Sequence, residues 1–202
     1  MKLFHNPASP FVRKVWVTLI ETGQIDGVEI IPVVATATNP DAALTAYNPL
    51  NKIPCLVLDD GTALYDSRVI CRYLDDRAGA GLYPQNDPWE VLTLEATADG
   101  IMEAALLMVY EGRIRPAEMV YAPWVEAQWS KVEQGLAAIS NRWVGLLNGP
   151  MTMAHVAVGC VIGYLDFRHG GRDWRAANPA LADWYAGFAQ RESMQTTRPP
   201  ES

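Results

Sequence analysis

The chain has 202 residues, half of them hydrophobic, with 16 Lys and Arg against 23 Asp and Glu and a formal charge of −7. This composition suits one compact unit or two small domains with an adequate apolar core. The acidic balance, without a basic tract interleaved with aromatics, argues against nucleic acid and anionic membranes as partners. Neither a signal-peptide pattern nor a membrane-length apolar run occurs, so we expect a cytoplasmic protein.

Cys55, Cys71 and Cys160 lie within apolar stretches at irregular spacing. Such cysteines are typical of small buried side chains, and they form neither a disulfide framework nor a metal-binding pattern. The three histidines also lack the spacing of metal ligands. We therefore expect no metal cofactor.

The chain begins with a strand and a helix. Lys2 to His5 predict a short strand, and the turn after it ends with Ser9 at the N-cap and Pro10 at the first position of a helix that reaches about Thr22. Ser9 therefore stands where free N–H groups and the helix dipole converge. From these residues alone, a simple capping role and a functional role are both open.

A second strand is predicted from Glu29 to Val34. Pro32 within it favours an edge position, where its missing N–H breaks no hydrogen bond of the sheet. Residues 35–47 have weak periodicity and predict a loop with an irregular helix.

Residues 48–74 combine a turn, a hairpin and a helix start in one short span. Ile53 precedes Pro54 and is restricted to extended conformations, so a strand is expected to begin there. The Asp-Asp-Gly sequence at residues 59–61 suits a tight hairpin turn, and the returning strand ends at about Tyr65.

A third helix follows the hairpin. Apolar residues recur with helical spacing between Val69 and Leu74, and Ser67 stands where an N-cap is expected. Free N–H groups at this end would bind a carboxylate, while the charge of Asp66 would attract an ammonium group. The pair therefore suits the head of an amino acid, although ordinary capping chemistry explains the same two residues.

These features together resemble the N-terminal domain of the glutathione S-transferase superfamily. The resemblance implies a thioredoxin-like α/β domain over residues 1–77, in the order βαβ-α-ββα, with a four-stranded mixed sheet. The motifs that carry it are Asn48-Pro49-x-x-Lys52-Ile53-Pro54, the hairpin and the Asp66-Ser67 pair.

The same resemblance implies a glutathione site. Pro54 is expected to be cis, and the backbone of Ile53 to bind the cysteinyl part of glutathione. Asp66 and Ser67 are expected to hold the γ-glutamyl head, with Lys52 near the glycyl carboxylate.

The sequence Ser9-Pro10-Phe11-Val12 resembles the catalytic junction of this family in its serine form. The resemblance implies that the Ser9 hydroxyl donates a hydrogen bond to the glutathione thiolate, which lowers the pKa of the thiol. Phe11 is expected to contribute to the glutathione site. Arg13 and Lys14 follow on the same helix, either on a solvated face or as a source of positive potential, and neither is given a catalytic role.

The second half of the chain is expected to be an all-α helical bundle, as the resemblance also implies. Residues 78–88 have the composition of a linker, and residues 89–202 contain no strand pattern. The predicted helices cover residues 89–111, 118 or 122 to 143, 151–167 and 178–191, and a loose proline-rich tail follows them.

The third of these helices begins with an unusual capping sequence. The family has Thr or Ser followed three residues later by Asp, whereas this chain has Thr152-Met-Ala-His155. A histidine replaces the carboxylate that usually accepts from the N-cap backbone, so we expect a weaker cap.

The first long helix is expected to border the acceptor pocket. Met102, Leu106, Met108 and Tyr110 are candidates to line it, although their helical spacing alone favours a core position. Asp99 is expected to face the cleft or the glutathione of a partner subunit, with a solvated face as the alternative.

The sequence therefore predicts a glutathione S-transferase-like homodimer that activates glutathione as a thiolate for addition to small electrophiles in detoxification. Glutathione is the co-substrate. A glutathione-dependent isomerase or disulfide reductase is an alternative enzyme, although serine rather than cysteine at position 9 disfavours disulfide exchange. A non-catalytic glutathione- or ligand-binding regulatory module is the alternative from another class.

Overall fold

The computed structural model describes residues 1–34, 36 and 38–200, which form two compact units. The first unit contains Met1–Tyr83 and the segment that begins at Glu192, and the second contains Pro84–Arg191. Across these described residues, none of the helices combines the length and apolar character that a membrane crossing requires.

The elements confirm the predicted fold class, an α/β unit with a mixed sheet and a helical unit. In chain order they are β1 (Lys2–His5), α1 (Pro10–Glu21), β2 (Glu29–Pro32), α2 (Ala42–Thr45), β3 (Cys55–Val57), β4 (Ala63–Leu64), α3 (Ser67–Ala78), α4 (Trp89–Ile114), α5 (Ala122–Arg142), α6 (Val144–Leu147), α7 (Met153–His169), α8 (Pro179–Phe188) and α9 (Glu192–Thr196). Within the segment predicted to be a loop and an irregular helix, residues 35 and 37 lie outside the described part of the chain.

The sheet has the order β2-β1-β3-β4. Strand β2 pairs parallel with β1, whereas β3 pairs antiparallel with both β1 and β4. Pro32 ends β2, so its missing N–H lies in an edge strand as predicted. Helices α1 and α3 pack against each other, and a separate apolar cluster includes Phe4, Leu44 and Cys55.

The end of α3 fixes part of the predicted linker. Gly79 ends the helix in the left-handed conformation, with φ 60°. The buried carboxylate of Asp75 then accepts hydrogen bonds from the backbone N–H groups of Leu82, at 2.7 Å, and Tyr83, at 3.1 Å. The chain is therefore anchored up to the last residue of the first unit.

The C-terminal segment differs from the predicted loose tail of the helical half. Helix α9 packs on α1, in the first unit. The buried side chain of Arg13 donates to the Met194 carbonyl at 2.9 Å and to Thr197 Oγ1 at 3.2 Å. Arg13 is therefore not on a solvated face, and its hydrogen bonds explain why this segment is ordered despite the prolines that follow it.

Helix α7 forms the centre of the helical unit. Every residue from Met153 to Leu165 is buried, in keeping with a sequence that is apolar nearly all round the helix. Helix α4 packs against both α5 and α7. It continues through Gly112 to Ile114, past the predicted break, because one glycine costs only about 1 kcal/mol in a helix that packing supports.

The first turn of α7 shows how His155 takes part in the cap, whose expected weakness stays a prediction. The Thr152 N–H donates to His155 Nδ1 at 3.1 Å, so the imidazole supplies the acceptor that an acid usually supplies. His155 is only 3% exposed. Burial lowers its pKa, although nearby backbone carbonyls, including that of Leu147, oppose this effect. The neutral ring with an unprotonated Nδ1 is therefore the form that caps the helix.

Candidate functional site

The strand register brings three predicted site segments to one end of the sheet. Phe4 lies opposite Cys55 in the antiparallel pair of β1 and β3, so the loop that leaves β1 and the residues that enter β3 share an edge. Leu56 lies opposite Leu64 in the next antiparallel pair, so the chain that leaves β4 reaches the same edge. Ser9, Ile53 and the start of α3 therefore occupy one end of the first unit.

Ser9 is the N-cap of α1, as predicted. Its Oγ accepts a hydrogen bond from the Val12 N–H at 3.3 Å, and the side chain is half-buried. Within the described residues no acceptor is found for the Ser9 hydroxyl hydrogen, and no partner for the N–H of Phe11 in the same first turn. Both groups are therefore available as donors to a ligand.

Two asparagines hold the loops at this edge through side-chain hydrogen bonds that were not predicted from the sequence. Asn6 accepts from the Ala8 N–H and donates to the Val33 carbonyl, both at 3.0 Å, which shapes the approach to Ser9. Asn48 is buried, and its amide donates to the Lys52 carbonyl at 2.7 Å. Short polar side chains that bond to nearby backbone are the available signal for such roles.

The backbone before Pro54 is left open to a ligand. The Ile53–Pro54 peptide bond is cis, and β3 begins only at Cys55 rather than before the proline. Among the described residues, the N–H and C=O of Ile53 have no hydrogen-bond partner. The side chain of Lys52 is exposed beside them.

The start of α3 corrects the predicted cap. Asp66, not Ser67, is the N-cap, and its Oδ1 accepts from the Arg68 N–H at 3.0 Å. Its Oδ2 lies 2.9 Å from the guanidinium of Arg68. Ser67 occupies the first helical position and is 2% exposed. Its hydroxyl has no partner within the described part of the chain and remains available to a ligand.

Asp66 stays ionised near neutral pH. Burial raises its pKa, but the hydrogen bonds and charge of Arg68, together with the charge of Lys14, outweigh this effect and leave the pKa below its usual value. Lys14 is fully buried on α1 rather than solvated. The edge thus combines one fixed carboxylate with positive charge from two side chains.

The acceptor candidates on α4 separate into buried and half-buried side chains. Met102 is fully buried and Asp99 nearly so, which favours the core interpretation for Met102 and argues against a solvated face for Asp99. Leu106 and Tyr110 are half-buried. Tyr110 also lines a cleft of about 710 Å³ within the helical unit, together with Leu107, Glu111, Ile114, Arg115, Pro116, Met119, Tyr121 and Trp124.

Glu111 organises this cleft, although the sequence analysis gave it no role. Its Oε2 accepts from Arg115 Nε at 2.7 Å, and its Oε1 accepts from the Tyr121 N–H at 3.2 Å. The buried carboxylate therefore ties the end of α4 to the start of α5. The described residues contain no cluster of three or more side chains suited to bind a metal ion.

Two protein-family descriptions match the chain. "Glutathione S-transferase, N-terminal domain" matches residues 8–77, and "Glutathione S-transferase, C-terminal domain" matches residues 122–187. A curated relative, "Uncharacterized GST-like protein YibF" of Escherichia coli K12, is 33% identical over 208 residues and covers all of both chains.

Solved structures agree with these matches. A glutathione transferase family member from Pseudomonas fluorescens Pf-5 with bound glutathione is 46% identical, with a TM-score of 0.96 and coverage of 98% of both chains. A structure described in the same terms from this organism, with bound S-(propanoic acid)-glutathione, is 44% identical, with a TM-score of 0.92 and coverage of 98% of this chain and 99% of the other. The chain belongs to the glutathione S-transferase family.

Proposed function

We propose that the protein binds glutathione at the sheet end described above and activates its thiol as a thiolate for addition to small electrophiles. One observation carries the proposal: the Ser9 hydroxyl, the unpaired backbone of Ile53 and the Asp66-Ser67 pair converge on a single edge. The Pseudomonas fluorescens relatives, which hold glutathione and a glutathione S-conjugate, support the same chemistry.

Each part of glutathione has a matching group at this edge. The γ-glutamyl carboxylate accepts from the backbone N–H and hydroxyl of Ser67, where the helix dipole also favours negative charge. Its ammonium group shares the ionised carboxylate of Asp66 with Arg68. The cysteinyl backbone pairs with the N–H and C=O of Ile53 as a strand pairs with an edge, and the glycyl carboxylate lies near Lys52.

Ser9 supplies the activation. A free thiol with a pKa of about 8.5 is only a few per cent ionised at neutral pH. A hydroxyl that donates to the thiolate but not to the thiol stabilises the charged form, and a charge-assisted hydrogen bond of about 1.5–3 kcal/mol lowers the pKa by roughly one to two units. The N–H of Phe11 adds a second donor in the same turn.

Serine at this junction favours conjugation over disulfide exchange, because a hydroxyl cannot form the mixed disulfide that exchange requires. We further propose that the molecule works as a cytoplasmic homodimer in detoxification, and that the α4 cleft receives the electrophile. Isomerisation with glutathione uses the same thiolate and remains the alternative activity.

Replacing Ser9 tests the activation. Ser9→Ala should lower turnover at neutral pH about ten- to a hundredfold and leave glutathione affinity within a few fold, because the hydrogen bond forms with the thiolate. Ser9→Thr is the matched control, since it keeps a hydroxyl at the cap. Ultraviolet thiolate absorbance of bound glutathione, titrated in both variants, measures the pKa directly. Identical titration curves in Ser9→Ala and the original protein would exclude the serine mechanism.

Replacing Ser67 tests the binding site separately. Ser67→Ala should weaken glutathione binding about tenfold, because it removes a hydrogen bond to a carboxylate. Lys52→Ala should weaken it less, since an exposed ion pair contributes only about 0–1 kcal/mol. Calorimetry measures both affinities. Unchanged affinity in Ser67→Ala would show that the γ-glutamyl head binds elsewhere, and glutathione binding without turnover of any electrophile would favour the regulatory module.

A further inference from the structure

The start of α1 is held from two sides. On the side of the preceding loop, the Ser9 N–H donates to the Asn6 carbonyl at 3.0 Å, and the side chain of Asn6 is bonded to Val33. On the side of the helix, the Arg13 N–H donates to the Ser9 carbonyl at 3.0 Å. Arg13 therefore closes the turn that carries the Ser9 hydroxyl, and a contact that fixes Arg13 also restrains Ser9.

The C-terminal segment fixes the side chain of Arg13. This side chain is only 5% exposed, and its guanidinium donates to the Met194 carbonyl of α9 and to Oγ1 of Thr197, the residue after α9. The Thr197 hydroxyl donates in turn to the Ser193 carbonyl at 2.7 Å, which holds this acceptor in place. The guanidinium thus joins the start of α1 to α9.

Stability alone does not explain an arginine at this position. In the part of the chain that the structure describes, Arg13 has no carboxylate within ion-pair distance, and both of its acceptors are uncharged. Burial of a guanidinium without an anion costs free energy, because neutral acceptors replace its hydration only in part. A cation this close to the start of α1 also opposes the helix dipole. A long side chain with a rigid, planar set of donors does, however, fix the position of one helix against another.

Helix α9 also contacts the opposite end of α1. The Ser193 hydroxyl donates to the carboxylate of Glu21, the last residue of α1. Glu21 lies about two turns beyond Arg13, or about 12 Å further along the helix axis. Both contacts hold the same pair of helices, but only that of Arg13 lies in the turn next to Ser9.

We propose that Arg13 is a positioning residue for thiol activation. By bonding to the C-terminal segment, it holds the start of α1 where the Ser9 hydroxyl and the Phe11 N–H face the thiolate of glutathione. This inference rests on the proposed function, because the thiolate is the group that these two donors stabilise.

Ultraviolet thiolate absorbance of bound glutathione tests this role in Arg13→Ala, with Ser193→Ala as the matched control that also removes a bond between α1 and α9. Arg13→Ala should raise the pKa of the bound thiol by about half a unit to one unit and lower turnover at neutral pH about three- to tenfold, because a displaced hydroxyl donates less well to the thiolate. Ser193→Ala should leave this pKa unchanged, and glutathione affinity should stay within about twofold in both variants. Equal pKa shifts in the two variants, or no shift in either, would overturn the proposal.

Thr197→Val separates the position of Arg13 from its charge. This variant keeps the guanidinium and removes one of its acceptors, so the thiol pKa should rise as it does in Arg13→Ala. An unchanged pKa in Thr197→Val would show that the charge of Arg13 acts on the thiolate directly, which contradicts the positioning role.

The route through Ser9 is tested by combining two substitutions. Arg13→Ala should change the thiol pKa less in the Ser9→Ala protein than in the original protein, because the hydroxyl that it positions is already absent. A shift of the same size in both backgrounds would refute an effect through Ser9.

Amide hydrogen exchange separates this proposal from the proposed function. It is measured without glutathione at the Val12 N–H, which donates to Ser9 Oγ. Exchange there should be faster in Arg13→Ala than in the original protein or in Ser193→Ala. If glutathione does not bind, or if Ser9→Ala leaves the thiol pKa unchanged, the proposed activation fails, and this exchange rate still decides whether Arg13 positions the turn. Equal rates in all three proteins would exclude the positioning role.

Discussion

Replacing His155 with glutamine tests how the central helix of the helical unit begins. The Thr152 N–H donates to Nδ1 of the nearly buried ring, so the cap requires the neutral imidazole. Glutamine is an established residue at this position of a capping box and supplies an acceptor that does not titrate. His155→Gln should therefore keep the cap and remove its dependence on pH.

The direction of the effect follows from proton binding. In the unfolded chain the pKa of histidine is about 6.5, whereas burial holds the pKa of folded His155 below that value. The unfolded state then binds more protons as the solution is acidified. The stabilisation is complete above pH of about 6.5 and is lost as the pH falls through the folded pKa, with a slope of at most about 1.4 kcal/mol per pH unit.

Melting temperatures of both proteins at about pH 7.5 and about pH 5.5 provide the measurement. The original protein should lose more stability than His155→Gln over this interval, by at most about 1.4 kcal/mol, and its melting temperature should therefore fall further. Burial lowers the pKa of His5 and His169 as well, but both titrate in both proteins and cancel in the difference. A difference in melting temperature that does not change with pH would refute the neutral-cap argument.

Two further predictions concern contacts within the first unit. Asp75→Ala should lower the free energy of unfolding by roughly 1–3 kcal/mol in urea titrations, because it leaves the buried N–H groups of Leu82 and Tyr83 without an acceptor; an unchanged midpoint would show that water replaces the carboxylate. Arg13→Ala should speed hydrogen exchange in α9, because the helix loses both side-chain donors that hold it to α1. Equal exchange rates in α9 would show that apolar packing alone holds it.

The sequence predicted those parts of the fold that depend on local chemistry. Ser9 and Pro10 marked the start of α1 because capping and the fixed φ of proline act within one turn. The choice between Asp66 and Ser67 as N-cap was wrong because both residue types cap helices. Only the position of the backbone decides which side chain reaches the first free N–H group, and here Asp66 reaches that of Arg68.

Contacts between distant residues explain what the sequence did not reveal. The docking of α9 depends on Arg13, more than 180 residues earlier in the chain, and no local pattern near the C-terminus indicates it. The capping role of His155 depends on burial, which keeps the imidazole neutral. The role of Glu111 was not predicted, because a single acidic residue near a helix end is common in sequences. Only the structure shows that its carboxylate accepts two hydrogen bonds.

The chain has a negative net charge, yet its proposed ligand carries carboxylates. The local structure explains how the two are compatible. A charge of −7 disfavours the binding of extended polyanions, because their many phosphates contact a large part of the protein surface. A small anion interacts mainly with groups a few ångströms away, where helix N-termini and individual cations determine the electrostatic potential. The first unit directs the N-termini of α1 and α3 to one sheet edge, where the charges of Arg68 and Lys14 lower the pKa of Asp66. An acidic protein can therefore bind a small anionic ligand where helix N-termini and a few cations set the local potential.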